Sequence, residues 1–553
     1  MAHSPLRSEV SIVAVERNSM GTATAGTFRT SRRGVVLGSL LTAAIGSARS
    51  ALAAEPTTLV GVIEEDPSLI NPAIVAVIST FATGSPVYDA LTDIRPDGSI
   101  QPALAQSWEI APDGLSYTFH LRRDVLWHDG APFTSADVQF SIENANSKLQ
   151  SWGRGAYRAL DHIETPDAYT AVLKLKQPQA SLILGTDHAC SAILPRHIWE
   201  KEDILWSEYN HKPIGTGPYI FKEYVRGESV RYVKNPRYFG GVPQFDELIF
   251  RIIPDPAARV AAFENGDVDM IYHGALPFSE AQRLGRLPGA AIKTTDLRGS
   301  AYLGLINTRR KPYDDVHVRQ ALAHAIDRKF IRDNVAPGFT QNMVGPIPPV
   351  SRLHDDTLRD YAFDPARAQA LLDAAGHPRK ADGARFTFDL LWPNYDVMMT
   401  KTADIIYRNL GDVGIKVNFQ PLERAALNQK GYVGLQFDMI MESYGQGPDP
   451  DIGVERLYNS KSIMNPPQPY TNASGYSNPE VDRLFDEQRM QNDPEKRKTV
   501  YGRIQQIVWG DVPVLPIFAY VAPNLYRSSY VQNVFDVSYG NQDNFARARL
   551  VHG

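Results

Sequence analysis

The stretch SYTFHLRRDVLWHDGAPFTSADV, residues 116–138, sets His128 between Trp127 and Asp129, with Asp137 close behind. An imidazole with two carboxylates is the raw material of an acid–base relay or a metal site. A metal site needs further ligands at fixed spacing. The thirteen histidines are scattered, and neither H-x-x-x-H nor H-E-x-x-H occurs. PDPDIG, 448–453, alternates acids as a calcium loop does but lacks the loop's sixth-position glycine and its later glutamate. No G-x-S-x-G elbow and no G-x-x-x-x-G-K phosphate loop is present, and the lone GTG at 215–217 runs into Pro218. Acidic residues are too abundant for counting to single out a glycosidase pair. No metal, no cofactor and no catalytic residue is therefore expected. Trp127 and Phe133 read as core anchors, Asp129-Gly130 as a turn and Asp137 as a helix cap.

The elements that must position these residues alternate between strands and helices without a repeat period, the pattern of an α/β protein. TTLVGVI, 57–63, reads as a buried strand. SYTFHL puts Tyr117, Phe119 and Leu121 on one face, and DVLWHDG is expected to continue the same β-meander through Val125 and Trp127. Helices announce their starts with an acid or amide before proline: Asp255-Pro256, Asp364-Pro365, Asn478-Pro479 and Asp493-Pro494. Gly266 and Gly376 mark two of their ends. Residues 318, 321, 322, 325 and 326 form a helical apolar stripe. HKPIGTGPYI, 211–220, reads as a domain crossing, and PGFTQNMVGPIPPV, 337–350, as a long surface connection.

The 553 residues, 43% hydrophobic and 22% charged, supply large cores in several domains. Near the start, TSRRGVVLGSLLTAAIGSARSALAAEP joins Arg32-Arg33 to an apolar run from Val35 to Ile45 and an Ala51-Leu52-Ala53 site. This is the layout of a twin-arginine-type export signal over 1–54, cleaved near 53/54, with an apolar run too short for a membrane anchor. A start at Met20 would give a more usual signal length. Six of the 57 basic residues (Arg7, Arg17, Arg29, Arg32, Arg33, Arg49) and two of the 62 acidic ones (Glu9, Glu16) precede residue 55. The 51 basic and 60 acidic residues that remain carry a net charge of −9, a poor match for nucleic acid. Cys190 is the sole cysteine, so no internal disulfide forms, and it reads as a buried small hydrophobe. A periplasmic monomer that does not span the membrane after cleavage is the expectation.

LAQSWEIAPDGLSYTFHLRRDVLWHDGAPFTSADVQFS closely resembles the signature region of family 5 solute-binding proteins of ABC importers, the peptide/nickel group. The resemblance runs on through LPRHIWE, PIGTGPYIFKEYVRGESVRYVKNPRYFGG, FRIIPDPAARVAAFENGDVDM, KPYDDVHVRQALAHAIDR, FDPARAQALLDAAG and DVPVLPIFAY. It implies a periplasmic-binding-protein-like, two-lobed α/β clamp with an extra inserted domain, three domains of the cluster C type. Domain I would take 55–86, 213–298 and 512–553, domain II the insertion 87–212, and domain III 299–511. A small solute, peptide-like, a sugar or an organic acid, would be enclosed between I and III by hinge closure and passed to permease subunits with their ATPase. A ligand sensor or chaperone on the same fold, or an exported hydrolase, are the alternatives.

The ligand-anchoring positions depart from those of the peptide binders it resembles. Where they carry an aspartate for the peptide ammonium, this chain has Gln446 in MESYGQGPDPD, with Asp449 and Asp451 nearby as possible substitutes. An amide accepts a hydrogen bond without the strength of a charged partner. Where dipeptide-binding relatives follow a tryptophan with a carboxylate-binding arginine, LLWPNYDVMMTK offers Trp392, Pro393 and Asn394. Trp392, Tyr395 and Tyr444 fit either stacking on a ligand or the core. Glu65, after the first strand, and Arg298, in the second crossing, are candidate charged partners. With no histidine in 440–460, nickel is disfavoured.

Overall fold

The computed structural model describes residues 56–294, 299–394, 396–465, 469–537 and 542–551. The expected export signal, Arg298 and Tyr395 lie outside the described residues.

Strand Thr58–Ile63 forms where β-branched residues crowd the sequence, and it pairs in parallel with Glu247–Ile252 on one side and Met270–Ile271 on the other. Parallel pairing needs a crossover, and helix Pro256–Asn265 supplies it. Asp255 caps that helix by accepting from the Ala258 N–H at 2.7 Å, and Gly266 ends it with φ +85°. The completed sheet has seven strands. Its order is Ala291–Thr294, Pro523–Tyr526, Met270–Ile271, Thr58–Ile63, Glu247–Ile252, Ser229–Lys234, Tyr219–Val225. Leu59, Tyr232 and Phe250 pack one face, Val62, Ile271 and Leu525 the other.

A second sheet of six strands runs Thr340–Gln341, Val514–Tyr520, Ser300–Ile306, Met439–Gly445, Phe386–Pro393, Ile415–Leu422. Strand Ser300–Ile306 is buried at every position because core lies on both faces. The predicted helical stripe is buried there too: Val318, Ala321, Leu322, Ala325 and Ile326 all belong to one core. Residues 337–350 are not the surface connection expected from their prolines and glycines. They contribute the edge strand Thr340–Gln341 and bury Met343 and Ile347.

The four-stranded antiparallel sheet Ala105–Ile110, Ser116–Leu121, Thr170–Leu175, Leu160–Asp167 contains the SYTFHL alternation, with Tyr117, Phe119 and Leu121 inward. DVLWHDG does not extend this sheet. Its only pairing among the described residues is one bridge, Leu126 to Pro132, closed by Gly130 at φ +95°. Chain entry and exit of this region touch through bare backbone: the N–H of Gly217 donates to the Val87 carbonyl at 2.8 Å. A Cβ on Gly215 would sit 1.9 Å from that oxygen, so only glycine fits.

Candidate ligand-binding site

The histidine and the carboxylates of the opening stretch are satisfied by structure. His128 Nε2 lies 3.0 Å from the Gly217 carbonyl, while its Nδ1 accepts from the Gly215 N–H at 3.3 Å. That pair of roles fits a neutral ring, and burial pushes its pKa down to about 4. Asp137 completes a capping box with Thr134 and also accepts from the Arg196 N–H at 2.8 Å. Asp129 takes the Ala131 N–H at 3.0 Å and His197 at 2.7 Å. Trp127 and Phe133 are core residues, and Cys190 is buried in the same core.

The end of strand Met439–Gly445 is different. Gln446 is 3% exposed, its N–H donates to the Gly299 carbonyl at 2.9 Å, and neither its Oε1 nor its Nε2 has a hydrogen-bond partner among the described residues. A buried amide without partners forfeits the hydrogen bonds it made in water, about 1–3 kcal/mol. The chain then turns through Gly447, φ +73°, into the short helix Pro450–Gly453, which folds back so closely that a Cβ on Gly453 would lie 1.7 Å from the Gln446 carbonyl oxygen.

The two aspartates beyond Gln446 are fully occupied. Asp449 accepts from Arg497 at 2.8 and 2.6 Å. Asp451 accepts from Ser181 at 2.6 Å, Gln488 at 2.7 Å and Arg489 at 3.2 Å. Burial works against the Asp451 charge, but Arg489 and Arg158 outweigh it and hold the carboxyl well below its usual range. Glu455 is clasped by Arg489 at 2.7 and 2.8 Å and by Arg158 at 2.7 Å. Neither aspartate is left to meet a ligand ammonium. Ser181 and Arg158 also tie the inserted region to this loop.

Arg456 follows on the same segment. Its Nε donates to the Gly453 carbonyl at 2.9 Å, one terminal nitrogen to Tyr470 at 2.8 Å and the other to Gly445 at 3.3 Å. Its guanidinium lies 5.6 Å from the Tyr444 ring centroid. Tyr444 is buried, with its hydroxyl 2.8 Å from that of Tyr432. One strand position earlier on that face, Glu442 accepts from Arg424 at 3.0 Å through both oxygens, and burial pushes it up to about 7 against that attraction.

Other sequence candidates are placed elsewhere. Trp392 is 1% exposed in the core, its indole N–H donating to Thr400 Oγ1 at 3.1 Å and its ring edge-on to Phe419. Asn394 is exposed and donates to Glu423 at 3.2 Å. Glu65 is exposed and accepts from Ser79 Oγ at 3.3 Å, whereas its neighbour Glu64 keeps one carboxylate oxygen buried and without a hydrogen-bond partner among the described residues. Helix Ile78–Gly84 links the two neighbourhoods. Ile78 sits over Gly274 beside Glu64, and Phe81 stacks at 6.0 Å on Trp152, whose ring closes on Gly445. Sequence reasoning missed Glu64, Glu442 and Arg456. Glu64 follows a strand whose last three residues are buried, a legible sign of cover; the other two carry no local signal.

Two large sheets with separate cores, an inserted antiparallel region and an unsatisfied amide at a strand end define a two-lobed clamp of the solute-binding class. Residues 99–465 match "Bacterial extracellular solute-binding proteins, family 5 Middle", and the chain belongs to that family. It is similar to heme-binding protein A of Haemophilus influenzae, 28% identical over 85% of this chain and 89% of the relative. A putative ABC transporter peptide-binding protein of Brucella ovis is 30% identical over 80% of this chain and 81% of its own. The periplasmic binding protein DppA from Helicobacter pylori, solved in complex with peptide STSA, matches with a TM-score of 0.78 at 25% identity, covering 90% of this chain and 99% of that one.

Proposed function

We propose that this protein is the periplasmic substrate-binding component of an ABC importer, capturing a small organic solute between its two large-sheet lobes and handing it to a membrane permease. The observation that carries this reading is the family match combined with likeness to a peptide-bound binding protein over nearly the whole chain. We read residues 1–54 as a twin-arginine-type export signal; among the described residues no helix is long and apolar enough to cross a membrane.

Three domains follow from the same reading: domain I around the seven-stranded sheet, domain II as the insertion 87–212, and domain III around the six-stranded sheet. Strand Val514–Tyr520 pairs with Ser300–Ile306 and strand Pro523–Tyr526 with Ala291–Thr294, so the last crossing is drawn near residue 521, not at 512. The ligand lacks a free ammonium at the Gln446 end. Support comes from the uncharged amide there and from Asp449 and Asp451 being consumed by arginines.

The test is a thermal-shift panel of di- and tripeptides, sugars and organic acids on the mature chain, with native mass spectrometry to detect bound solute. A ligand at a hundred times its Kd stabilises by about 2.7 kcal/mol. Binding of some small solute supports the reading. Strong shifts with ordinary free-amine dipeptides overturn the Gln446 argument, and no shift with any compound overturns solute binding.

A further inference from the structure

Arg456 is a half-buried cation without an acid among the described residues. Three of its five N–H groups go to neutral carbonyls, those of Gly445, Gly453 and Tyr470, and no carboxylate lies within ion-pairing distance among the described residues. The Tyr444 ring lies against its guanidinium, and burial pushes its pKa down. The neighbouring acids do not compensate it: Asp449, Asp451 and Glu455 are bound to Arg497, Arg489 and Arg158, and Glu442 to Arg424. Drawing a guanidinium even partly out of water is unfavourable unless an anion meets it. Asp449, Asp451 and Glu455 of this loop are taken by arginines from elsewhere in the chain, Arg489 also holding Asp486, while Arg456, the loop's own arginine, has no carboxylate among the described residues.

The surplus charge is held against the peptide that joins Gly445 to Gln446, because Arg456 donates to the Gly445 carbonyl. Gln446 is the residue whose buried amide lacks both partners. A group carrying oxygens would satisfy the Gln446 Nε2 donors and neutralise Arg456 together, whereas an ammonium would meet an uncompensated positive charge. From this geometry we infer that Arg456 is a specificity residue, and that the solute presents a carboxylate to the Gly445–Gln446 end of the site. This rests on the importer reading above and names its substrate class: acids whose amine is blocked or absent, such as acylated peptides or sugar acids. The charge-assisted contact of a guanidinium with a carboxylate is stronger than one to a neutral carbonyl, so acid and amide forms of one compound are told apart.

The experiment equilibrates the mature protein with an equimolar mixture of N-acetyl dipeptides, their C-terminal amides, unmodified dipeptides, gluconate and glucose. Native mass spectrometry then reads the retained compounds. The wild type is expected to enrich acids lacking an ammonium over their amides at least tenfold. Arg456→Gln, which keeps two N–H donors but removes the charge, should abolish that preference, and Arg456→Lys should restore part of it. Melting curves of both variants show that they fold; a merely structural arginine would lower stability without changing the acid-to-amide ratio. Enrichment of neutral compounds, an acid preference unchanged in Arg456→Gln, or no enrichment at all overturns the inference. Enrichment of unmodified dipeptides over their N-acetyl forms instead overturns the Gln446 argument, which separates the two failures.

Discussion

Residues 127–137 and 446–456 carry comparable densities of charged and polar side chains, yet the fold uses them in opposite ways. In the first, His128, Asp129 and Asp137 each find backbone partners, and the imidazole bridges the glycines of the Gly215–Gly217 crossing. In the second, the acids are paired to arginines while an amide and a guanidinium stay uncompensated. Chemical type did not separate the two stretches; the state of satisfaction did. A polar group that the protein has already paired is architecture, and one that it has buried and left unpaired is an opening for something else.

The comparison breaks most sharply at Arg497. Arg497→Met strands Asp449 in the core and should cost about 3–5 kcal/mol, seen as a large drop in denaturation midpoint. A loss below about 1 kcal/mol would mean the acid network is not the rigid frame described. At the other stretch, Gly215→Ala drives a methyl into the Val87 carbonyl and should destabilise by roughly 1–3 kcal/mol.

Acid sharpens the contrast in a different way. The folded pKa of His128 lies below its ordinary 6.5, so its contribution is fully present above pH 6.5 and is lost as pH falls toward about 4. A shift of that size is worth about 3 kcal/mol, trimmed to roughly 2 by partial solvent access. His128→Gln should therefore reduce the loss of melting temperature between pH 6.5 and 4; His273, also pushed down to about 4, acts in the same sense, and Glu442, Asp89 and Asp269, pushed up to about 7, 6 and 6, act in the opposite one. The smallest effect is expected at Gln446. Gln446→Leu removes the unpaired amide and should stabilise the empty protein by about 1 kcal/mol while abolishing the ligand-induced shift.

Helix starts were legible because their signal is local. Asp255, Asp364, Asn478 and Asp493, each followed by proline, all became N-caps, and the Thr134–Asp137 cap was equally visible. The fold class followed from those alternating elements together with the family resemblance. Site residues were less legible because their partners are remote in sequence. Trp392 could be assigned to cleft or core only when Phe386–Pro393 was seen between two neighbouring strands. Asp449 and Asp451 looked available until Arg497 and Arg489 arrived from a distant part of the chain. Arg456 had nothing local to mark it, since its meaning lies in the carboxylate it lacks.

The contact of Val87 with Gly217 has a polymer consequence. Because the chain leaves and returns through one hydrogen-bonded neck, everything from 88 to 214 is a side loop of the backbone's path, closed at its base. The entropy of closing such a loop grows only with the logarithm of its contour length. The outer part of the excursion is therefore free to lengthen or shorten at little entropic cost, whereas Ala145, Ala192, Leu194 and Trp199, which share the core of the first sheet, are held in place.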